Sequence, residues 1–180
     1  MAAVRGRDIE VLFSASAIAR RNLELAKEIA TRDYENLLVI SILKGSFIFA
    51  ADLIRAMHDM GTAPEVEFMF ISSYGAGTTS GEVRVLRDID NDVSGRDVLL
   101  VDDILESGKT LTFTRDLMLS RGAKSVSIAV LLDKTMRRQT DLNADYVGFD
   151  CPDYFVVGYG MDVAHAFREL PYVGVVKGDL

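Results

Sequence analysis

Residues 97–111, Asp-Val-Leu-Leu-Val-Asp-Asp-Ile-Leu-Glu-Ser-Gly-Lys-Thr-Leu, constrain this chain more than any other stretch. The apolar run Val98 to Val101 reads as a buried parallel strand. It stops at two adjacent carboxylates, Asp102 and Asp103, placed where a strand leaves its sheet. A short loop, Glu106-Ser107-Gly108-Lys109-Thr110, then opens an amphipathic helix carrying Leu111, Phe113, Leu117 and Met118. Small residues at a helix start leave backbone N–H groups free to face an anion, and the helix dipole adds positive potential there. The acids before the loop can accept hydroxyl protons or hold Mg²⁺ through water. A ligand with a vicinal diol beside a phosphate, such as a ribose 5-phosphate, satisfies both halves.

The bulk numbers frame that site. At 180 residues, with 49% hydrophobic and 26% charged content, the chain is expected to form one domain, 1–180, with a full-sized core. No apolar run approaches the ~20 residues of a membrane span, and the N-terminus lacks the apolar core of a signal peptide. The single cysteine, Cys151, cannot form an internal disulfide, which suits a reducing cytoplasm. It reads as structural. His58 and His165, both in helical patterns, are assigned no role. A net charge of −7 argues against a nucleic-acid partner, because phosphate backbones attract basic faces.

Along the chain, Ser14 to Thr31 reads as an amphipathic helix capped by Ser14 or Ser16. Leu37 to Leu43 is a buried-strand run, and Lys44-Gly45-Ser46 turns it into a helix, Phe47 to Met60, stopped by Gly61. Glu65 to Ser73 alternates as a strand; Tyr74 to Gly81 is small, polar and glycine-rich, hence a mobile loop. Further strands are expected over Glu82–Arg87, Ser125–Leu132, Tyr146–Phe149, Phe155–Tyr159 and Tyr172–Val176. Strand and helix alternate from 37 to 132, which predicts a parallel α/β sheet with helices on both faces. The end segments are left to build a cap, or hood, over the carboxyl ends of its strands.

Two acids after an apolar strand, two apolar residues, an acid, then Ser-Gly-Lys-Thr resembles the loop of the type I phosphoribosyltransferases. That loop binds phosphoribosyl pyrophosphate (PRPP). The resemblance implies that Asp102 and Asp103 address the ribose hydroxyls and Mg²⁺, while Ser107, Gly108, Lys109 and Thr110 wrap the 5′-phosphate. It extends over nearly the whole chain to the hypoxanthine (6-oxopurine) branch. There Lys44 and Gly45 match a pyrophosphate loop with a cis peptide after its lysine, and Ser73-Tyr74 matches the start of a closing catalytic loop. Lys134 matches a lysine donating to the purine O6, with Phe155 stacking on the ring and Val156 pairing with it. Asp162 matches a magnesium-holding acid and Arg168 a pyrophosphate contact. At Glu106 many relatives carry aspartate, the base for the purine N7 proton; glutamate keeps the carboxylate and adds a methylene.

The implied activity is purine salvage, joining hypoxanthine, and guanine, to PRPP. The partners implied are PRPP and a 6-oxopurine, with a dimeric or tetrameric homo-oligomer. Other readings stay open from sequence: transfer to xanthine or another base, or an RNA-binding or transcriptional regulator on the same fold. A P-loop NTPase is disfavoured, because position 103, where that motif requires glycine, is aspartate.

Overall fold

A computed structural model describes residues 3–4, 7–73 and 83–177. The loop expected over Tyr74–Gly81, Tyr74 with it, and Glu82 lie outside the described residues. In chain order the elements are β1 (Ala3–Val4), β2 (Arg7–Phe13), α1 (Ala15–Ala30), β3 (Leu38–Leu43), α2 (Phe47–Asp59), β4 (Glu65–Ser73), β5 (Val83–Arg87) and β6 (Asp97–Leu105). They continue with α3 (Lys109–Ser120), β7 (Ser125–Asp133), β8 (Tyr146–Asp150), β9 (Val156–Val157) and β10 (Val173–Val176).

The main sheet has the order β5-β4-β3-β6-β7-β8, with β4, β3, β6, β7 and β8 running parallel. Its central strands β3, β6 and β7 are near-continuously apolar because both of their faces are covered. Val39, Leu99, Val101 and Leu131 point to the side packed by Leu25 and Ile29 of α1 and by Phe49 and Leu53 of α2. Their neighbours Leu38, Ile40, Leu100 and Val130 face the opposite side, against Leu111 and Met118 of α3. Ser14 caps α1, its hydroxyl accepting from Ala17 N at 3.2 Å, as its place before the apolar pattern implies.

The sheet departs from the expected all-parallel form at one edge, where β5 pairs antiparallel with β4. Only residues 74–82 join those strands, and a parallel crossover needs about a dozen or more. The ends of the chain form the expected hood, a separate sheet β1-β2-β10-β9. It closes over Ile9, Val157, Phe167, Leu170 and Val176. Two expectations fail here. The strand over Phe155–Tyr159 shrinks to β9, because the positive φ angles of Gly158 (94°), Tyr159 (50°) and Gly160 (99°) turn the chain out of any ladder. No helix holds His165 either, since Ala164, His165 and Phe167 all have positive φ. Among the described residues no helix is long and apolar enough to cross a membrane.

Candidate active site

The site lies where the sheet's winding reverses. From β3 the chain passes through α2 to β4 on one side; from β6 it passes through α3 to β7 on the other. Ligands in open α/β sheets bind in the crevice at such a switch point. The register shows how this crevice opens. β3 pairs with β6 only as far as Ser41 opposite Val101. Beyond it β6 continues alone against β7, with Asp102 opposite Val130 and Leu105 opposite Asp133.

The acids therefore do not stand at the strand's end, as the sequence suggested. They sit on a strand that runs on to Leu105, held by β7 after β3 has left. Nor do they face solvent freely: Asp102 is buried and Asp103 half-buried. Asp102 accepts from Asp103 N and Asp103 from Ile104 N, each at 2.9 Å. Burial pushes the Asp102 carboxyl well above its usual range, and the neighbouring Asp103 charge adds to this. Burial raises Asp103 as well, opposed by backbone donors and by Arg168. A buried acid pair of this kind is receptive to hydroxyl protons or a cation.

Facing the acids is the β3–α2 turn, Lys44-Gly45-Ser46. The cis peptide found there is Leu43-Lys44, one bond earlier than the resemblance implied, at the last residue of β3. Gly45 packs closely on the acid pair: a Cβ there would come within 1.9 Å of Asp103 Oδ2, so the turn or the carboxylate would have to shift. Gly160 brings the hood down on the same turn: its Cβ would lie 2.3 Å from the Gly45 carbonyl oxygen. At the third side Gly108, with φ of 84°, is the N-cap of α3, and Lys109 N reaches Ser107 Oγ at 3.4 Å.

Two adjoining cavities result. One, about 290 Å³, is lined by Lys44, Gly45, Asp102, Asp103, Glu106, Ser107, Gly108 and Thr110; Lys109 does not line it. The other, about 530 Å³, shares Lys44, Gly45, Asp103 and Glu106 and adds Lys134, Phe155, Val156, Asp162 and Arg168. Glu106 stands at their junction. Its Oε1 lies 3.7 Å from Lys134 Nζ, while that ammonium also donates to Tyr154 O at 2.7 Å. Phe155 is 47% exposed, an aromatic face open to the second cavity. Arg168 binds Asp162 Oδ1 at 2.7 Å and donates to Gly160 O at 2.6 Å.

Nearly every residue singled out from sequence thus borders one crevice, though sequence separations reach beyond a hundred positions. Ser73 ends β4, with its backbone paired to Val83. Asp162 is more engaged than expected: its Oδ2 also accepts from His165 N at 2.7 Å. Among the described residues no cluster of three or more acid, His or Cys side chains forms a ready-made metal cage. Asp102 and Asp103 are a carboxylate pair that could hold Mg²⁺, an ion that takes one or two carboxylates plus substrate oxygens and water. Sequence reasoning missed Gly160, for which the Gly158-Tyr159-Gly160 spacing was a usable signal.

Residues 9–164 match the phosphoribosyl transferase domain. The hypoxanthine-guanine phosphoribosyltransferase of Bacillus subtilis is 47% identical over 174 residues, which cover 94% of each chain. A hypoxanthine phosphoribosyltransferase structure from Staphylococcus aureus superposes with a TM-score of 0.87 at 42% identity, covering 93% of this chain and 91% of that one. One from Trypanosoma cruzi reaches 0.90 at 39% identity, covering 98% and 95%. The chain belongs to the type I phosphoribosyltransferases, in the branch of the hypoxanthine-guanine enzymes.

Proposed function

We propose that this protein transfers the phosphoribosyl group of PRPP to N9 of hypoxanthine, and of guanine, releasing pyrophosphate. The observation that carries the reading is the placement of Glu106 and Lys134. An acceptor and a donor 3.7 Å apart border a cavity with one aromatic wall, directly beside the acid pair and the anion loop. A 6-oxopurine offers the complementary edge, an N7 proton beside the O6 acceptor. Adenine presents an amino donor at that carbon, which would face the Lys134 donor and leave both unpaired.

In this mechanism Ser107, Gly108 and Thr110 hold the 5′-phosphate at the α3 N-terminus. Asp102 and Asp103 accept from the ribose hydroxyls and fix C1 against the base. Phe155 stacks on the purine, and Val156 backbone groups pair with its edge. Glu106 accepts the N7 proton as N9 bonds to C1 and the C1–pyrophosphate bond breaks. Amides of the Lys44-Gly45 turn, together with Arg168, receive the departing pyrophosphate. Bound Mg²⁺, held through Asp102, Asp103 and substrate oxygens with Asp162 nearby, would neutralise the leaving group's charge.

A cytoplasmic setting and self-association into a dimer or tetramer belong to the same proposal. The first is supported by the lone free Cys151, and sedimentation measures the second. The net charge of −7 disfavours the regulator alternative. The test is a comparison of hypoxanthine, guanine, xanthine and adenine as acceptors with PRPP and Mg²⁺. Turnover with the first two and none with adenine is expected; adenine as the best acceptor would overturn the assignment of Lys134.

A further inference from the structure

We propose that Arg138, outside both cavities, is the positioning residue that aims the phosphate loop. This rests on the PRPP reading above and adds to it the origin of the loop's geometry.

The Arg138 side chain is only 13% exposed, and its guanidinium is anchored by an ion pair with Asp133. From there it donates in three directions. Nε reaches Glu106 O at 2.9 Å, one terminal nitrogen reaches Leu105 O at 3.3 Å, and the other reaches Leu142 O. Two backbone amides of the same segment complete the clamp. Lys134 N donates to Leu105 O and Gln139 N to Ser107 O, each at 2.9 Å. The carbonyls of residues 105, 106 and 107 are thus all drawn to one side, against residues 134–139.

A planar trans peptide places the next residue's N–H opposite its carbonyl. Pulling the Glu106 and Ser107 carbonyls outward therefore turns the Ser107 and Gly108 N–H groups inward. Inward is the smaller cavity, lined by Leu105, Glu106, Ser107 and Gly108 and by no residue of 134–142. The packing leaves little freedom. A Cβ on Gly108 would fall 2.1 Å from Thr140 Oγ1 and 3.2 Å from Arg138 Cδ, so the loop lies directly on this clamp. Guanidinium suits the task because one planar fork serves several acceptors at once, which an ammonium on a flexible stem cannot match.

The site handles two anions differently. The 5′-phosphate depends on the loop amides; pyrophosphate depends on the Lys44-Gly45 turn and Arg168. Calorimetry with ribose 5-phosphate and with magnesium pyrophosphate, on wild type, Arg138→Met and Arg138→Lys, reads them apart. Arg138→Met should weaken ribose 5-phosphate binding and raise the KM for PRPP by about tenfold or more, the scale of one or two lost hydrogen bonds. Pyrophosphate affinity should stay within about twofold. Arg138→Lys, which keeps the charge for Asp133, should fall between the two and provides a folded variant if methionine melts the domain.

Equal losses for both anions, or unchanged ribose 5-phosphate binding in a folded variant, would overturn the proposal. Wild-type protein that binds neither ribose 5-phosphate nor PRPP would instead refute the underlying functional reading.

Discussion

Glu106→Gln separates a catalytic carboxylate from one that merely steadies its surroundings, because the two roles predict effects of different size. In the free protein the carboxylate lies 3.7 Å from Lys134 Nζ, with the Glu106 side chain 43% exposed and that of Lys134 only 7%. A pair with one partner this accessible is screened, and its loss costs about 0.2–1 kcal/mol. In a domain of this size that lowers the melting temperature by about 0.4–4 °C. Loss of a general base costs far more, about 10²- to 10⁴-fold in turnover, or roughly 3–5 kcal/mol of barrier. The KM for PRPP should change little, since phosphate and ribose are held by other groups. Glu106→Asp supplies the control. It retracts the carboxylate by about one C–C bond, ~1.5 Å. The Lys134 pair then opens past ion-pair reach while a base remains, and turnover should stay within about tenfold of wild type. The assay is initial pyrophosphate release at saturating hypoxanthine and PRPP, with melting temperatures recorded alongside. A glutamine variant that turns over within about threefold of wild type would refute the base assignment and leave Glu106 a helix-terminus and Lys134 partner.

Converting Asp102 and Asp103 together to Asn should keep the fold while turnover with PRPP drops by orders of magnitude. Burial raises both folded-state pKa values, so the native protein holds these protons more tightly than the unfolded chain. The pair's contribution to stability is therefore present at low pH and lost as pH rises through the folded pKa values. The Asn variant lacks that loss: calorimetry should find it melting above wild type at pH about 7, with the gap closing towards pH about 4. A gap independent of pH would contradict the assignment. Gly45→Ala puts a methyl group 1.9 Å from Asp103 Oδ2, so the turn or the carboxylate must shift. The KM for PRPP should rise about tenfold or more, and unchanged kinetics would show that the turn and the acid are not jointly positioned.

What the sequence disclosed depended on how local its cause was. The strand into Asp102 and the loop after it could be read because apolar run, acids and small residues lie within a few positions. A serine cap, Ser14 or Ser16, and Gly61 as a stop were equally local. Where β6 ends was not legible, because its extension to Leu105 depends on pairing with β7, and register with a distant strand leaves no local mark. The burial of Asp102 follows from that same extension. The antiparallel β5 edge could have been anticipated from the short connection after Ser73. The positive φ angles at Tyr159, Ala164, His165 and Phe167 fall on residue types that do not advertise them, so the expected strand and helix there failed. Arg138 reaches the phosphate loop only through the carbonyl oxygens of Leu105 and Glu106, and backbone acceptors have no side-chain signature.

The proposed reaction is a transfer in which one phosphorylated sugar loses pyrophosphate and gains a purine. Phosphorus NMR follows this directly when the protein is mixed with PRPP, Mg²⁺ and hypoxanthine. The PRPP resonances should disappear while pyrophosphate and a nucleoside 5′-monophosphate appear in equal amounts, with no reaction when adenine replaces hypoxanthine. PRPP left intact in the presence of hypoxanthine, or pyrophosphate released without a matching nucleotide, would contradict it.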